Sequence, residues 1–301
     1  MTPGAPGPGR LQPALPSPLQ PVDDERFTRH GVQLLLKRDD LIHPDLPGNK
    51  WRKLAPNLAA AAGRTVLTFG GAYSNHLRAT AAAGRLLGFP TIGVVRGDEL
   101  AGRPLNPSLA RCAADGMRLH FVDRRAYRAK TLPAALTDDG LVGEETYVLP
   151  EGGSNTAAVH GCAALGTELH GLADTVGVAV GTGGTLAGLA AGLAPGQRAI
   201  GFPVLRGGFL GDDVLALQRA AFGSRAGDWH LDDRFHCGGY ARVNPALESF
   251  AAGFEDRHGL PVERLYVAKM LYGLTALATE GRFPAGTRVA AVVTGQPVSS
   301  R

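Results

Sequence analysis

The alternation of short β-rich runs with longer alanine- and leucine-rich runs is the strongest constraint on the fold of this 301-residue chain. The β-rich runs predict strands at residues 32–37, 65–69, 91–95, 118–122, 146–149, 175–180, 199–203, 264–267 and 289–293. The runs between them predict helices at residues 75–87, 155–170, 185–193, 212–221 and 245–258. Near-continuously apolar strands that alternate with helices are typical of α/β proteins, so we expect mainly parallel sheet flanked by helices.

Three glycine-rich turns join predicted strands to predicted helices: residues 68–76 (TFGGAYSNH), 150–155 (PEGGSN) and 181–185 (GTGGT). Ligands of parallel sheets bind where strand ends meet helix N-termini. In the third turn the glycines allow close backbone approach and two threonines add hydroxyls, which favours a phosphate over a merely structural tight turn. A dinucleotide fingerprint is not matched, because Leu186 takes the place of its third glycine, and no Gly-Lys-Ser/Thr of a nucleotide P-loop occurs.

Lysine is scarce in this chain. The 31 basic residues include only five lysines, namely Lys37, Lys50, Lys53, Lys130 and Lys269. Arginine can replace lysine as a charge, but it cannot form a Schiff base or lose its proton near neutral pH. Each remaining lysine is therefore a candidate for amine chemistry, although the segment that holds Lys50, GNKWRKL at 48–54, is by itself an unremarkable basic helix start.

Serine hydrolysis and metalloprotease chemistry find no support in the motifs. Ser74 and Ser154 lie in tight turns, but His76 and Thr156 stand where GxSxG needs its second glycine. Neither His76 nor His160 belongs to an HExxH sequence, so core or hydrogen-bonding roles are expected for both.

The composition argues against several further classes of protein. Three cysteines without CxxC spacing argue against a disulfide framework or a zinc site, so no metal is expected. A net charge of +4, with one basic cluster at 124–128, indicates a solvated helix face and no nucleic-acid partner. With no long apolar run and no signal-like N-terminus, we expect a cytoplasmic protein without a membrane span. Residues 1–15, rich in proline and glycine, are predicted to form a disordered tail.

Five motifs occur in a fixed order along the chain: KRDD at 37–40, GNKWRKL at 48–54, GGAYSNH at 70–76, EGGSN at 151–155 and GTGGT at 181–185. Together they resemble the 1-aminocyclopropane-1-carboxylate deaminase and D-cysteine desulfhydrase family of pyridoxal-5′-phosphate (PLP) enzymes, which has the tryptophan-synthase-β type of fold. The resemblance extends over nearly the whole chain, from residue 16 to residue 295. Five ordered motifs are far more specific than any one of them.

The resemblance implies a set of site residues. Lys50 is expected to carry the Schiff base and to act as a base, with Ser74, Tyr240 and Tyr266 as further catalytic residues. The cofactor is expected to be bound by Lys50, Asn75, Gly181, Thr182, Gly183, Gly184, Thr185 and Thr294. The substrate is expected to contact Ser74, Asn75, His76, Gly153 and Ser154. From the residues alone, the two tyrosines could equally be core aromatics.

The resemblance also implies two lobes, each with a mainly parallel sheet flanked by helices. A small domain at 52–162 would be inserted into a large PLP-binding domain formed by 1–51 and 163–301, with the cofactor in the cleft between them. Homodimers are usual in the family, so a homodimer is expected.

Two residues depart from the family pattern. Tyr73 stands where the family often has glutamine, and Val267 stands where its deaminases place a glutamate beside the pyridine nitrogen. Because Val267 offers no polar atom, Thr294 is the candidate partner of that nitrogen. The leading expectation is therefore β-elimination from D-cysteine or a related amino acid to a 2-oxo acid and ammonia. Ring opening of 1-aminocyclopropane-1-carboxylate to 2-oxobutanoate and ammonia is the alternative, and a non-catalytic phosphometabolite-binding protein is the alternative from another class.

Overall fold

The computed structural model describes residues 11–46, 48–129, 136, 142–143 and 145–297. The strands are β1 (Leu19–Val22), β2 (Gln33–Lys37), β3 (Thr65–Gly70), β4 (Thr91–Arg96), β5 (Arg118–Val122), β6 (Thr146–Leu149), β7 (Thr175–Val180), β8 (Arg198–Pro203), β9 (Asp228–Leu231) and β10 (Arg288–Val292). The helices are α1 (Glu25–Thr28), α2 (Asn49–Ala61), α3 (Asn75–Leu87), α4 (Pro107–Ala114), α5 (Arg124–Ala129), α6 (Thr156–Thr167), α7 (Gly184–Gly192), α8 (Leu210–Phe222), α9 (Pro245–His258) and α10 (Val267–Thr279).

The described residues form two compact units, of which the larger comprises Pro13–Lys53 and Thr156–Arg301. Its sheet has the strand order β1-β2-β10-β7-β8-β9, in which only the β1–β2 pair is antiparallel. Strand β7, TVGVAV, is buried along its whole length because apolar side chains cover both faces of the sheet. This arrangement confirms the predicted α/β class with mainly parallel sheet.

Small residues on α6 and α7 allow these two helices of the larger unit to pack with their backbones close together. A side chain at Gly188 would place its Cβ 2.2 Å from the carbonyl oxygen of Val159, and one at Gly192 would come within 1.9 Å of that of Ala163. Neither position has room for a larger residue. The pairing of α6 with α7 therefore holds the start of α7 in a fixed place at the end of β7.

The smaller unit contains Leu54–Asn155 and has its own sheet, in the parallel order β5-β4-β3-β6. One apolar cluster packs Leu77 of α3 and Leu109 of α4 against Met117. A second cluster packs Phe69 of β3 and Val94 of β4 against Tyr127. Each unit therefore has a core of its own, which fixes the turns at the ends of its strands.

The predicted strand at 264–267 is wrong, because the chain turns there and enters α10. The Glu263 carboxylate accepts hydrogen bonds from the backbone N–H groups of Leu265, Tyr266 and Val267, at 2.8, 2.7 and 3.3 Å. Only the N–H of Val267 belongs to α10, so Glu263 fixes the turn that precedes the helix and caps its first N–H group. The edge strands β1 and β9 were not predicted, whereas the other predicted strands and helices are confirmed.

The two compact units divide the chain at slightly different residues from the predicted domains. The small domain was predicted at 52–162, whereas α6 packs against α7 and falls in the larger unit. Residues 52 and 53 also fall in the larger unit. Of the predicted tail, residues 1–10 lie outside the described residues, and residues 11–15 are not free, since the N–H of Ala14 donates to the carbonyl of Ile42 at 2.8 Å.

Candidate active site

The turn between β7 and α7 has the geometry of an anion site. Gly183 precedes the helix with a φ of +79°, a conformation that side-chain-bearing residues rarely adopt. A Cβ on Gly183 would also lie 3.0 Å from Cγ2 of Val214, so the position has little space. The N–H groups of the first turn of α7 have no carbonyl partner within the helix and carry its positive dipole end. The geometry of this close-fitting cradle, residues 181–185, therefore suits an anion, and the binding role of these residues stays a prediction.

The start of α2 lies against this turn within the larger unit. The side-chain amide of Asn49 donates to Oγ1 of Thr185 at 2.8 Å, and Nζ of Lys50 donates to Oδ1 of Asn49 at the same distance. Gly48 has a φ of +68°, and a Cβ there would collide with the carbonyl oxygen of Thr294 at 1.8 Å. The fold therefore brings together Lys50, Thr185 and Thr294, three predicted site residues that are far apart in the sequence.

Lys53 also lies at this turn, although sequence reasoning did not assign it to the site. Its side chain is buried, and Nζ donates to Oγ1 of Thr182 at 3.4 Å. Burial lowers the pKa of Lys53 to about 8, while its interaction with Cys162 acts in the opposite direction. The signal was present in the sequence, because Lys53 lies three residues after Lys50 and such residues share one face of a helix.

The residues around the β7–α7 turn fit a phosphate group. Backbone N–H groups at the helix start, the hydroxyls of Thr182 and Thr185, and the ammonium group of Lys53 are all donors. Such a set complements the oxygens and the charge of a phosphate. The burial of Lys53 strengthens this match, because an anion beside a buried ammonium group compensates for its lost hydration.

Two tyrosines lie near the same turn. A Cβ on Gly181 would lie 3.3 Å from Cε1 of Tyr266, whose ring meets that of Tyr240 edge to face with 6.3 Å between centroids. The backbone of Tyr266 is fixed by Glu263, whose pKa is raised by burial although three N–H bonds oppose the shift. Val267 packs into the apolar cluster that contains Leu274. Its hydrocarbon side chain offers no polar group.

The smaller unit holds the other predicted site residues at the start of α3. Oγ of Ser74 accepts the N–H of Leu77 at 3.2 Å and so caps the helix. Asn75 is the first helical residue, and its Oδ1 accepts a hydrogen bond from Arg78. The helix N-terminus that Ser74 and Asn75 form is a second place where an anionic group such as a carboxylate can bind.

His76 ties two turns of the smaller unit together. Its Nε2 lies 2.8 Å from Oγ1 of Thr68, which in turn donates to the carbonyl of Leu149 at 2.9 Å. Since that hydroxyl has one proton, Nε2 of His76 must be the donor to it. A Cβ on Gly153 would lie 2.8 Å from Cε1 of His76, so Gly153 and the following Ser154 lie beside the α3 start. The structure thus shows the hydrogen-bonding role expected for His76, and its substrate contact stays a prediction.

Nearly the whole chain matches the model of one known protein family. The family model described as "Pyridoxal-phosphate dependent enzyme" matches residues 11–295. The chain belongs to this family. Its cofactor is PLP, which agrees with the phosphate cradle and the adjacent lysines, and the sequence resemblance is confirmed. When bound, PLP supplies an aldehyde that reacts with amines and a ring that accepts electrons from the bonds of the substrate Cα.

Two activities occur among the names of individual relatives, D-cysteine desulfhydrase and 1-aminocyclopropane-1-carboxylate deaminase. A D-cysteine desulfhydrase of Klebsiella pneumoniae strain 342 is 30% identical over 298 residues, which cover 89% of this chain and 88% of the relative. A mitochondrial bifunctional D-cysteine desulfhydrase/1-aminocyclopropane-1-carboxylate deaminase of Arabidopsis thaliana is 33% identical over 184 residues, covering 54% of this chain and 45% of the relative. The solved structure of an "ACC deaminase homologue" superposes with a TM-score of 0.78 at 26% identity, covering 93% of this chain and 89% of the other.

The structure also bears on membrane spans and metal sites. Among the described residues no helix is long and apolar enough to cross a membrane. Within the same part of the chain, no cluster of three or more histidine, cysteine or acidic side chains is arranged to hold a metal ion.

Proposed function

We propose that this protein is a PLP-dependent lyase that removes a β-substituent and the amino group from a small amino acid, with D-cysteine as the leading substrate. The products are a 2-oxo acid, ammonia and, from D-cysteine, sulfide. The observation that carries the proposal is the pair of lysines on α2, where Lys50 lies beside Asn49 and Lys53 lies at the anion cradle. One lysine can supply a nucleophilic amine and the other a cation, which are the two groups that a phosphate-bearing aldehyde requires.

The larger unit supplies the residues proposed to act on the cofactor and at the reacting carbon. Lys50 attaches the cofactor and, once the substrate amine has replaced it, removes the proton from Cα as a general base. Lys53 neutralises the phosphate, and Thr294 offers its hydroxyl to the pyridine nitrogen. The hydroxyls of Tyr240 and Tyr266 are proposed to donate a proton to the departing group. The phosphate is held by Gly181, Thr182, Gly183, Gly184 and Thr185.

The smaller unit supplies the residues proposed to bind the substrate carboxylate. The N–H groups at the start of α3, with the hydroxyl of Ser74, suit a carboxylate for the same reason that the start of α7 suits a phosphate. Asn75 is proposed to contact the ring hydroxyl of the cofactor. Ser154 would provide a further donor, and Gly153 keeps the space beside His76 open for the backbone.

Val267 favours β-elimination over ring opening. A carboxylate beside the pyridine nitrogen would keep it protonated and make the ring a strong electron acceptor, whereas a threonine hydroxyl only shares a hydrogen bond. Loss of a thiolate from Cβ needs less electron withdrawal than cleavage of a carbon–carbon bond. The hydrolytic ring opening of 1-aminocyclopropane-1-carboxylate remains the second candidate, because relatives carry that activity in their names.

The proposal is tested by measuring ammonia, sulfide and 2-oxo acid with D-cysteine, L-cysteine, β-chloro-D-alanine and 1-aminocyclopropane-1-carboxylate. We expect kcat/KM for D-cysteine to exceed that for the cyclopropane substrate by at least about tenfold, an advantage of about 1.4 kcal/mol in the barrier. Lys50→Ala is the matched inactive control, and Thr294→Val should lower kcat while the lysine-linked absorbance persists. Efficient ring opening with little sulfide release would assign the second activity instead, and a wild-type protein without that absorbance would contradict both.

We further propose a cytoplasmic homodimer. Homodimers are usual for the family that the sequence resembles. Light scattering coupled to size-exclusion chromatography would test the assembly, for which a mass near twice 31.3 kDa is expected. A mass near that of a single chain at micromolar concentration would contradict it.

A further inference from the structure

Lys269 is a buried lysine that the proposed chemistry does not use. It lies on α10, three residues after Tyr266, and its side chain has no exposed surface. Its Nζ donates a hydrogen bond of 2.8 Å to the backbone carbonyl of Gly239. The next residue along the chain from that carbonyl is Tyr240, so Lys269 links α10 directly to the segment that carries the second tyrosine.

The segment at residues 236–241, HCGGYA, has an unusual backbone. Cys237, Gly238, Gly239 and Ala241 all have positive φ, at +53°, +92°, +110° and +56°. Two of these four residues are not glycine, and such residues adopt this region only when the surroundings enforce it. The segment belongs to no strand, so no sheet ladder fixes its carbonyl groups. The Gly239 carbonyl also accepts the N–H of Arg242 at 3.3 Å, and the shorter bond from Lys269, at 2.8 Å, anchors the segment to α10.

Burying the ammonium group of Lys269 costs free energy of folding. Burial lowers the pKa of Lys269, an effect that the neighbouring Cys237 and Glu263 only partly oppose. Methionine has a similar length and would avoid the cost of burying an ammonium group, since buried charges often contribute less to stability than apolar residues of the same size. Packing alone therefore does not account for a lysine here, whereas its strong hydrogen bond to one carbonyl does.

We propose that Lys269 is a positioning residue that fixes Gly239 and thereby holds the ring of Tyr240 against Tyr266. The inference rests on the proposed function in one respect, namely that the hydroxyl of Tyr240 acts on the substrate. The ring of Tyr240 contacts that of Tyr266 edge to face, and Tyr266 in turn lies beside Gly181. Lys269 is therefore connected to the phosphate cradle through these contacts. Lys269 acts only through Tyr240 and touches no reacting atom.

A double-mutant cycle in the PLP-loaded enzyme separates positioning from stability. Lys269→Met should lower kcat by about 30-fold with KM changed by less than about threefold, because a misplaced catalytic group slows the chemical step. In the Tyr240→Phe background the same substitution should cost less than about threefold, since the hydroxyl that it positions is already gone. Thr275→Val is the control, because it removes another buried polar group from α10 and should leave kcat unchanged.

A second measurement does not depend on turnover. Amide hydrogen exchange of residues 236–242 should accelerate at least about tenfold in Lys269→Met and remain unchanged in Thr275→Val. Lys269→Gln has a shorter side chain whose amide can still donate a hydrogen bond, so its exchange rate and kcat should be intermediate. This variant replaces Lys269→Met in both measurements if the methionine variant does not fold.

The outcomes are distinct. Unchanged exchange in the methionine variant, or a loss of kcat that is fully additive with that of Tyr240→Phe, would overturn the positioning role. A wild-type protein without lysine-linked absorbance would instead reject the proposed function, while the exchange data would still decide whether Lys269 anchors the segment.

Discussion

Two lysines three residues apart have different environments in this protein. Lys50 is half-buried and contacts the amide oxygen of Asn49, whereas Lys53 is buried beside Thr182. Burial lowers the pKa of Lys53 to about 8. An amine with a pKa of about 8 is mostly charged at pH 7 and loses its charge as the pH rises through 8, and a bound phosphate would favour its charged form. The environment of each lysine therefore suits the task proposed for it, covalent attachment for Lys50 and charge compensation for Lys53.

The pH dependence of cofactor binding should reveal Lys53. Above pH 8 the ligand-free protein holds Lys53 mainly neutral, so binding a phosphate must take up a proton. The affinity for pyridoxine 5′-phosphate, which lacks the aldehyde and cannot react with Lys50, should fall by up to about tenfold per pH unit above 8. Below that pH the affinity should level off until the phosphate itself gains a proton near pH 6. Calorimetric titrations between pH 7 and pH 9.5 would measure this affinity.

Lys53→Arg is the matched control, because arginine stays charged throughout this range. Its affinity for pyridoxine 5′-phosphate should be nearly independent of pH, even if the larger head group weakens binding overall. If the affinity falls with pH equally steeply in the wild type and in Lys53→Arg, Lys53 does not compensate the charge of the phosphate.

The motifs identified the residues that local sequence can reveal, and missed those whose role depends on distant contacts. Lys50 and residues 181–185 stand in recognisable segments, and the fold brings Lys50 and Thr185 together through Asn49. Asn49 was missed because its partner is 136 residues away. The role of Lys269 could not be read from the sequence, since its acceptor is a backbone carbonyl in a distant loop.

At the level of elements, apolar strands were predictable because burial on both faces of a sheet leaves a continuous hydrophobic run. Edge strands lack that pattern: β1 contains Pro21, and β9 reads DWHL. The start of α10 was misassigned because its residues are β-branched and aromatic, while the deciding interaction is the cap from Glu263. A side-chain cap therefore outweighed local strand preference at 264–267.

The turn between β7 and α7 should be sensitive to any side chain at Gly183. Alanine there meets an unfavourable φ of +79° and a contact of 3.0 Å with Val214, which together displace the cradle. We expect the affinity for PLP to fall by at least about tenfold, corresponding to about 1.4 kcal/mol, and excess PLP to restore activity in part. Absorbance titrations of the ligand-free variant would give the dissociation constant.

Gly196→Ala provides the comparison for this substitution. Gly196 has a similar φ of +86°, but a Cβ there would meet no atom within 4 Å, and the residue lies in the turn before β8. Both variants should lose similar stability from backbone strain, about 1 kcal/mol each. If Gly196→Ala weakens PLP binding as much as Gly183→Ala, the effect is global strain and the cradle assignment fails.

At the level of the whole molecule, the groups that fit the phosphate all belong to the larger unit. They lie on α2 and on the β7–α7 turn, whereas the smaller unit has a separate sheet and separate apolar clusters. A buried ionic network strengthens the larger unit beside α2, in which Arg52 binds Asp39 and Glu168, and Lys37 binds Glu168 and the carbonyl of Ser17. The two-sheet architecture was implied by the family resemblance that the motifs carry, but this network was not predictable, because its members come from distant segments.

Removal of the cofactor should consequently loosen the two units unequally. A ligand that binds only the folded state stabilises it by mass action, by about 2.7 kcal/mol when its concentration is one hundred times the dissociation constant. We expect amide exchange at residues 48–53 and 181–187 to accelerate at least about tenfold in the PLP-free protein, because these segments lose the phosphate that they hold. Strand β4, buried in the middle of the smaller sheet, should exchange at the same rate with and without PLP. Exchange measured by mass spectrometry on matched samples tests this, and an equal change in β4 or none at residues 181–187 would contradict the location of the phosphate site.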